Sequence, residues 1–297
     1  MARRKRGRSI DGWLIVDKPE GVTSTQVVAK VRWALDAQKA GHAGTLDPLA
    51  TGLLAVALGE ATKTVPYAQD GLKTYRFTAR WGEAMTTDDR EGEVSARSAH
   101  RPGRAAIEAA LPAFTGEIMQ APPVFSAIKV DGERAYDLAR RGDGVDLPER
   151  PIHIERLSLI DMPDADHATF AMVCGKGGYV RSLARDLGVA LGTCAHVSAL
   201  RRVASGGFTL EGAATFSSLD EMRGAGVEAL LPLEAGLAGL PMFEVPAAAA
   251  ERLSMGDAVA APRTDAPLFW VAHEGAPVAI LETEAGQPRI RRVFRLG

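Results

Sequence analysis

Alternating apolar and polar positions predict strands along most of the chain. The clearest alternation covers residues 73–81, where Tyr75, Phe77 and Trp81 share one face and Thr or Arg side chains occupy the other. An uninterrupted apolar run at residues 53–58 has the length of a buried strand. Further strands are predicted at residues 11–16, 126–130, 152–160, 169–173 and 195–203.

Helical spacing is confined to a few segments between these strands. Thr23 and Ser24 are favourable N-cap residues, and apolar residues recur every three or four positions after them. A second long helix is predicted at residues 179–191, after the glycine-rich residues 175–178. Because regular helices do not separate the strands, the pattern favours an α+β fold with a mixed, mainly antiparallel sheet. Shorter helices are predicted at residues 103–111 and 134–141.

The distribution of apolar, proline and basic residues divides the chain into three parts. Residues 1–9 form a basic tail that is expected to be disordered, and residues 10–239 form one large domain. From residue 240 the pattern changes to short segments punctuated by proline. This change predicts a small separate domain at residues 240–297.

Composition restricts the class of protein. The chain has 297 residues, 46% of them hydrophobic, but it lacks any run of the roughly 18 to 20 apolar residues that a membrane helix needs. Only two cysteines are present, which argues against a disulfide framework. We therefore expect a soluble cytoplasmic protein that makes no membrane contact.

Basic residues are concentrated at both ends of the chain, although the formal net charge is only -2. Such local patches can attract a polyanion whatever the net charge, because phosphate neutralisation is a local effect. The alternative is that both patches are solvated tails. The residues concerned are Arg3, Arg4, Lys5, Arg6 and Arg8 at one end, and Arg289, Arg291, Arg292 and Arg295 at the other.

Residues 41–52, with the sequence GHAGTLDPLATG, hold the strongest candidate for catalysis. Asp47 precedes a proline, which favours extended backbone, and Gly44 is one of three glycines that permit conformations closed to other residues. The loop thus holds one carboxylate at a bend, near the imidazole of His42. The alternative is a plain turn, since Asp-Pro is a common turn sequence. The chain shows no zinc-ligand spacing, complete P-loop or serine nucleophile elbow, so no metal site is expected.

The same twelve residues resemble, nearly position for position, the signature of the TruB family of tRNA pseudouridine synthases. Other segments in the same order extend the resemblance across about residues 10–210. The tail beyond them resembles the small PUA-type β-domain that many family members carry. The matching segments are DKPEGVTS at 17–24, KTYRF at 73–77, SAIK at 126–129, GYVRSLARDLG at 178–188 and AHVSALRR at 195–202.

The resemblance implies the pseudouridine synthase fold, an α+β fold with flanking helices and a central cleft, followed by a PUA-like RNA-binding domain. It also implies that Asp47 is the catalytic aspartate. The reaction breaks the N-glycosidic bond of a uridine, turns the base and rejoins it through carbon. No metal and no organic cofactor is expected. The implied partner is the T-arm stem-loop of tRNA, bound by a monomer without guide RNA.

Four residues of the matching motifs are expected to lie around a flipped uridine, since a stacked or paired base cannot reach a loop carboxylate. His42 is expected to fill the vacated space, unless it only packs within the loop. Tyr75 is expected to stack on the uracil and assist proton removal from its C5; the alternative is a core aromatic. Leu200 is expected to form an apolar wall, which packing alone would also explain. Tyr179 is a weaker candidate for a pocket or RNA contact.

The remaining implied roles concern charge and support. Arg181 is the expected charge partner of Asp47 and would keep that carboxylate ionised; otherwise it is an exposed residue on a helix. Lys18, Pro19 and Gly44 are expected to support the catalytic loop, with a nearby acid considered as a partner of Lys18. The turn-rich residues 85–97 predict either a lid or a solvated loop.

Three functions compete. The leading hypothesis is a stand-alone enzyme that isomerises uridine 55 in the T-loop of tRNA. An rRNA-directed pseudouridine synthase is a close alternative, which the GH at 41–42 and the DPLATG at 47–52 disfavour. A third hypothesis is an RNA-binding protein that folds tRNA, with catalysis secondary, because base flipping already requires partial unfolding of the RNA.

Overall fold

The computed structural model describes residues 7–126, 128–130, 133–134, 141, 147–224 and 227–296. The α-helices in these ranges are Ser24–Ala34 (α1), Val65–Ala68 (α2), Arg104–Ala110 (α3), Val180–Ala190 (α4) and Ala247–Ser254 (α5). The strands before residue 125 are Gly12–Lys18 (β1), Ala40–His42 (β2), Thr51–Leu58 (β3), Lys73–Trp81 (β4), Glu83–Met85 (β5), Val94–Arg97 (β6) and Gly116–Gln120 (β7). The later strands are Lys129–Val130 (β8), Glu133–Arg134 (β9), Arg150–Asp161 (β10), His167–Cys174 (β11), Ala195–Ser205 (β12), Phe208–Thr209 (β13), Ala214–Thr215 (β14), Met242–Glu244 (β15), Leu268–His273 (β16), Ala276–Glu284 (β17) and Gln287–Val293 (β18).

The first of two compact units comprises Met1–Pro48, Gly52–Gly71 and Ser205–Gly297. In this unit β1 pairs antiparallel with β3 and parallel with β14, and β2 pairs antiparallel with β3. Nearly every side chain of β1 and β3 is buried. Burial on both faces explains why residues 53–58 are continuously apolar instead of alternating.

Each face of β1 packs against a different apolar cluster. Leu14 and Val16 lie in a cluster with the buried face of α1. Trp13, on the opposite face, lies in a cluster that includes Trp270 and Phe294 from the C-terminal part of the chain. Full burial of side chains of this size contributes roughly 1.5–3 kcal/mol each. These two clusters therefore hold β1 firmly, and the loops that join β1 to α1 and β2 to β3 extend from this base.

The C-terminal part of the first unit is a four-stranded sheet in the order β15-β16-β17-β18. Strand β15 is parallel to β16, and the other pairs are antiparallel. One face of this sheet is covered by α5, whose Leu253 is buried in a cluster with Phe269 and Leu281. The sheet is the C-terminal β-domain that the sequence predicts.

The second compact unit comprises Leu49–Thr51 and Leu72–Ala204. Its strands follow the order β12-β4-β11-β10-β7, with antiparallel pairing from β4 to β7. Phe77 of β4 stacks on Phe170 of β11 with ring centroids 5.1 Å apart, and Trp81 meets Phe170 edge-on at 6.4 Å. The aromatic face predicted for residues 73–81 is therefore the core of this unit.

The predicted fold class is confirmed, since the sheets are mainly antiparallel and few helices accompany them. Other details differ from the predictions. Arg8 pairs with Ala37, so ordered backbone begins inside the tail predicted at residues 1–9, the start of which lies outside the described residues. Arg134 lies in β9, where the helix at 134–141 was expected to begin, and most of that segment is not described.

The division of the chain at residue 240 stays a prediction. The compact units group the chain differently, because Ser205–Gly297 belongs with the N-terminal segments. None of the helices in the described ranges is both long and apolar enough to cross a membrane.

Candidate active site

The loop that carries Asp47 connects β2 to β3 and makes its bend with two glycines. Gly44 has φ of 99° and Gly52 has φ of 98°, values in the left-handed region that favours glycine. Gly41 lies in β2 and is not among the residues with positive φ. Two of the three loop glycines therefore use the freedom that the sequence suggests. Asp47 and His42 are both half-buried, so each side chain keeps an accessible surface.

Lys18 fastens the segment after β1 to the Asp47 loop. Its side chain is fully buried, and its Nζ donates to the backbone carbonyls of Pro19 at 2.9 Å, Val22 at 2.6 Å and Pro48 at 3.2 Å. The carbonyl of Pro48 also accepts a hydrogen bond from the Gly21 amide at 2.8 Å. Hydrogen bonds that involve a charged donor are stronger than neutral ones. The contacts of Lys18 thus agree with its predicted supporting role, and they are made to backbone carbonyls.

Pro19 and Gly44, which are also predicted to support the loop, contribute through their backbone. Pro19 is exposed and contributes its carbonyl to the Lys18 cluster. Gly44 supplies the bend, and the neighbouring Ala43 amide donates to the Ala55 carbonyl of β3 at 2.9 Å. This hydrogen bond fixes the start of the loop to the buried strand.

Tyr75 differs from the other aromatic residues on its strand face. It lies in β4 opposite Met172 of β11 and is half-buried, whereas Phe77 and Trp81 are buried almost completely. The core-aromatic interpretation therefore fits Phe77 and Trp81 better than Tyr75. An accessible ring at the end of an aromatic row is suited to stacking on a base.

Arg181 is buried in the second unit and is not the exposed helix residue considered as an alternative. Its NH1 and NH2 groups donate to the carbonyls of Thr87 and Phe125, both at 3.0 Å. Its Nε lies 3.6 Å from Oδ2 of Asp89, and the two side chains are only 6% and 4% exposed. A guanidinium in such a site needs a nearby anion to offset its loss of hydration. The pairing of Arg181 with Asp47 stays a prediction; the ion pair described here is with Asp89.

Asp89 is the residue of this site that the sequence did not single out. Its Oδ1 accepts hydrogen bonds from the Thr87 hydroxyl at 2.6 Å and the Glu91 amide at 3.0 Å. Asp89 lies in a charged stretch that resembles a solvated turn, and its partner is far away in sequence. The sequence indicates only that a buried arginine needs an acidic partner. It does not indicate which acid that partner is.

A second ion pair fastens the same turn. Arg185 NH1 lies 2.8 Å from Oδ2 of Asp88, and the carbonyl of Asp88 accepts from the Val197 amide of β12 at 3.1 Å. Burial raises the pKa of the Asp88 carboxyl above its ordinary value, and the charge of Arg185 opposes that shift. These contacts anchor Asp88 and Asp89, whereas residues 90–91 and 93–97 are exposed, so the choice between a lid and a solvated loop stays open.

Tyr179 and Leu200 occupy defined positions in the same unit. Tyr179 is the N-cap of α4; its amide donates to Gln120 Oε1 at 2.9 Å, and its carbonyl accepts from Gln120 Nε2 at 3.2 Å. Leu200 is a buried residue of β12, and its carbonyl accepts from the Thr51 hydroxyl at 3.4 Å. The apolar-wall and packing interpretations of Leu200 both fit this burial.

Solved structures define the class to which this fold belongs. One, described as a Cbf5-Nop10-Gar1 complex, superposes with a TM-score of 0.73 at 25% identity and covers 96% of this chain and 85% of that chain. Another, an H/ACA RNP bound to a substrate RNA containing 2'-deoxyuridine, gives a TM-score of 0.72 at 23% identity, with 100% and 92% covered. The fold is therefore the pseudouridine synthase fold.

Sequence comparisons identify the family. A model described as TruB family pseudouridylate synthase (N terminal domain) matches residues 32–180, and one described as tRNA pseudouridylate synthase B C-terminal domain matches residues 181–238. A "tRNA pseudouridine synthase B" of Cereibacter sphaeroides is 56% identical over 100% of both chains. Another of the same name, from Dinoroseobacter shibae, is 51% identical over 100% of this chain and 99% of its own. The chain belongs to the TruB family of pseudouridylate synthases, as the motifs predict.

Proposed function

We propose that the protein is a tRNA pseudouridine synthase that converts uridine 55 in the T-loop to pseudouridine. The observation that carries this function is the Asp47 loop, in which a half-buried carboxylate stands on backbone fixed by Lys18 and Gly21. The relatives that are 51% and 56% identical over their full length are both named for a tRNA substrate. This naming favours tRNA over rRNA as the substrate.

The reaction is an isomerisation within one nucleotide. The bond from N1 of uracil to C1' of ribose breaks, the base turns, and a bond from C5 to C1' forms. The proton on C5 is lost and N1 gains a proton, so no oxidant, reductant or second substrate is consumed. Asp47 acts on the uridine during this exchange, and Arg181 is assigned to keep the carboxylate ionised. Tyr75 stacks on the uracil and assists removal of the C5 proton.

Access to the carboxylate requires the uridine to leave its stack, at a cost of a few kcal/mol. His42 occupies the vacated space, and Leu200 and Tyr179 line the base pocket. A loop is a favourable substrate because its bases can be turned out without opening a long duplex. The enzyme acts in the cytoplasm as a monomer and without a guide RNA.

The substrate is tested with the purified protein alone and a T-arm transcript that carries tritium at C5 of its uridines. We expect one equivalent of tritium release per transcript, and no release from a matched transcript in which uridine 55 is replaced by cytidine. Equal release from both transcripts, or release only after another RNA is added, would contradict the proposal. If the protein instead promotes tRNA folding without releasing tritium, the RNA-folding hypothesis replaces it.

A further inference from the structure

We propose that Ser24 is a positioning residue for Asp47, an inference that rests on the catalytic role proposed for that aspartate. Ser24 is only 3% exposed. Its hydroxyl donates to the Leu46 carbonyl at 3.0 Å and accepts from the Leu46 amide at 2.9 Å. Both hydrogen bonds therefore fix the residue that immediately precedes Asp47.

The residue that follows Asp47 is fixed as well. The Pro48 carbonyl accepts from the Gly21 amide at 2.8 Å and from Lys18 Nζ at 3.2 Å. Proline has a fixed φ and restricts the backbone of the residue before it. With both neighbours anchored, the backbone of Asp47 is held from both sides. Ser24 supplies the N-terminal half of this anchor.

The adjacent hydroxyl groups of Thr23 and Ser24 have different hydrogen-bond partners, although the sequence suggests both residues as helix caps. Thr23 is the N-cap of α1: its hydroxyl accepts from the Gln26 amide at 3.2 Å, and Gln26 Oε1 accepts from the Thr23 amide at 2.8 Å. Ser24 is the first residue of the helix, and its hydroxyl bonds to the loop. The chain thus offers a matched pair of hydroxyls in which only one contacts the loop.

A hydroxyl suits this position because it donates and accepts at the same time. The buried backbone of Leu46 presents one donor and one acceptor to it. Alanine at position 24 would leave both groups unsatisfied and would free the peptide before Asp47. A displacement of about 1 Å at a reacting group can reduce a rate about 100-fold.

The experiment compares Ser24→Ala with Thr23→Ala on a T-arm transcript. Single-turnover rate constants, transcript Kd and Tm are measured for each. For Ser24→Ala we expect a rate about 10- to 100-fold below wild type, with Kd within about twofold. For Thr23→Ala we expect a lower Tm from loss of the cap but a rate within about twofold of wild type. Ser24→Cys, which keeps the volume and a weak donor, should give an intermediate rate.

Two outcomes would overturn the positioning role. One is an equal loss of rate in Ser24→Ala and Thr23→Ala; the other is a fall in rate that is fully explained by weaker transcript binding. If Ser24→Ala does not fold, a wild-type rate for Ser24→Cys contradicts the proposal and a reduced rate supports it. Asp47→Asn separates this inference from the proposed function. If Asp47→Asn retains activity, both fail; if it is inactive while Ser24→Ala keeps the wild-type rate, only the positioning role fails.

Discussion

The loop that carries Asp47 is held by hydrogen bonds to its backbone, whereas the turn beside Arg181 is held both by hydrogen bonds to its backbone and by ion pairs between side chains. In the first unit, Lys18 and Ser24 bond to the backbone groups of Pro48 and Leu46. In the second unit, Arg181 meets Asp89 and Arg185 meets Asp88. The anchors of the two regions differ in charge: the groups contacted in the loop are neutral backbone groups, whereas those contacted in the turn include the carboxyl groups of Asp88 and Asp89.

Because of this difference, the two regions should respond differently to pH and salt. The Ser24 hydroxyl and the backbone groups of Leu46 anchor the loop on one side without charge, whereas Lys18 anchors it on the other side with an ammonium. Burial raises the pKa of the Asp88 carboxyl, so its charge depends on pH, and partly exposed ion pairs are screened by salt. We therefore expect the turn that carries Asp88 to respond more strongly to pH and salt than the hydrogen bonds between Ser24 and Leu46.

The largest expected effect comes from breaking the buried ion pair of the second unit. Arg181→Met removes the partner of Asp89 and leaves a buried carboxylate uncompensated, which typically costs about 3–5 kcal/mol of the free energy of unfolding. Urea denaturation measures this loss. Arg104→Met is the matched control, because its partner Glu108 is exposed and such pairs are worth about 0.5 kcal/mol. Equal losses of the free energy of unfolding in the two variants would show that the Arg181–Asp89 pair contributes no more to stability than an exposed ion pair.

Removal of the buried ammonium of the first unit should have the next largest effect. Lys18→Met deletes three hydrogen bonds to carbonyls, and each hydrogen bond to a charged group contributes about 1.5–3 kcal/mol, offset in part by relief from burying the charge. We expect a net loss of about 2–3 kcal/mol together with reduced turnover. Lys30→Met, whose partner Asp220 is exposed, should lose at most about 1 kcal/mol. Unchanged turnover in Lys18→Met would contradict its supporting role.

The partly exposed ion pair between Arg185 and Asp88 should contribute less to the free energy of unfolding. Asp88→Asn removes the charge that Arg185 meets, but burial already penalises the ionised form of Asp88 and raises its pKa. We expect the free energy of unfolding to change by no more than about 1 kcal/mol near neutral pH, and the change to shrink at high salt. A loss as large as that of Arg181→Met at any salt concentration would show that the two pairs are equivalent.

The smallest expected effect is a pH dependence of the free energy of unfolding, caused by His196 of the second unit. Burial lowers the pKa of His196, and its ring nitrogen Nδ1 lies 2.9 Å from the Glu83 carbonyl. A histidine with a lowered pKa contributes stability that is present above its unfolded pKa of about 6.5 and lost as pH falls through its folded pKa. Unfolding curves from pH 7 to pH 5 should therefore decline more steeply for wild type than for His196→Asn. Parallel curves would exclude this contribution.

Local patterns predicted several strands well, because the alternation of side chains is a local property. Of the described residues in the strand predicted at 126–130, however, only Lys129–Val130 form a strand, and β7 was not predicted. The predicted residues 73–81 coincide with β4, and the predicted strands at 152–160 and 169–173 lie within β10 and β11. The resemblance indicated Lys18 as a support of the loop, a role that stays a prediction. The three carbonyl groups that accept hydrogen bonds from Lys18 could not be predicted, since their positions depend on how the backbone folds back towards the end of β1.

The features that the sequence did not reveal are contacts between distant residues. Asp89 and Arg181 meet only because the turn after β5 folds against α4. Ser24 was concealed for another reason: it follows a true N-cap residue, and a serine there suggests capping more readily than a contact with residue 46. Contacts between distant residues, and the different hydrogen-bond partners of two neighbouring hydroxyl groups, can be identified only from the three-dimensional structure.

The central claim is that the anchored carboxylate of Asp47 performs the isomerisation of uridine 55. The most direct measurement is tritium release from a C5-labelled T-arm transcript by Asp47→Asn and wild-type protein under single-turnover conditions. We expect release by wild type and none above background by Asp47→Asn, with transcript Kd within about tenfold, a shift of about 1.4 kcal/mol. Release by Asp47→Asn at the wild-type rate would contradict the central claim.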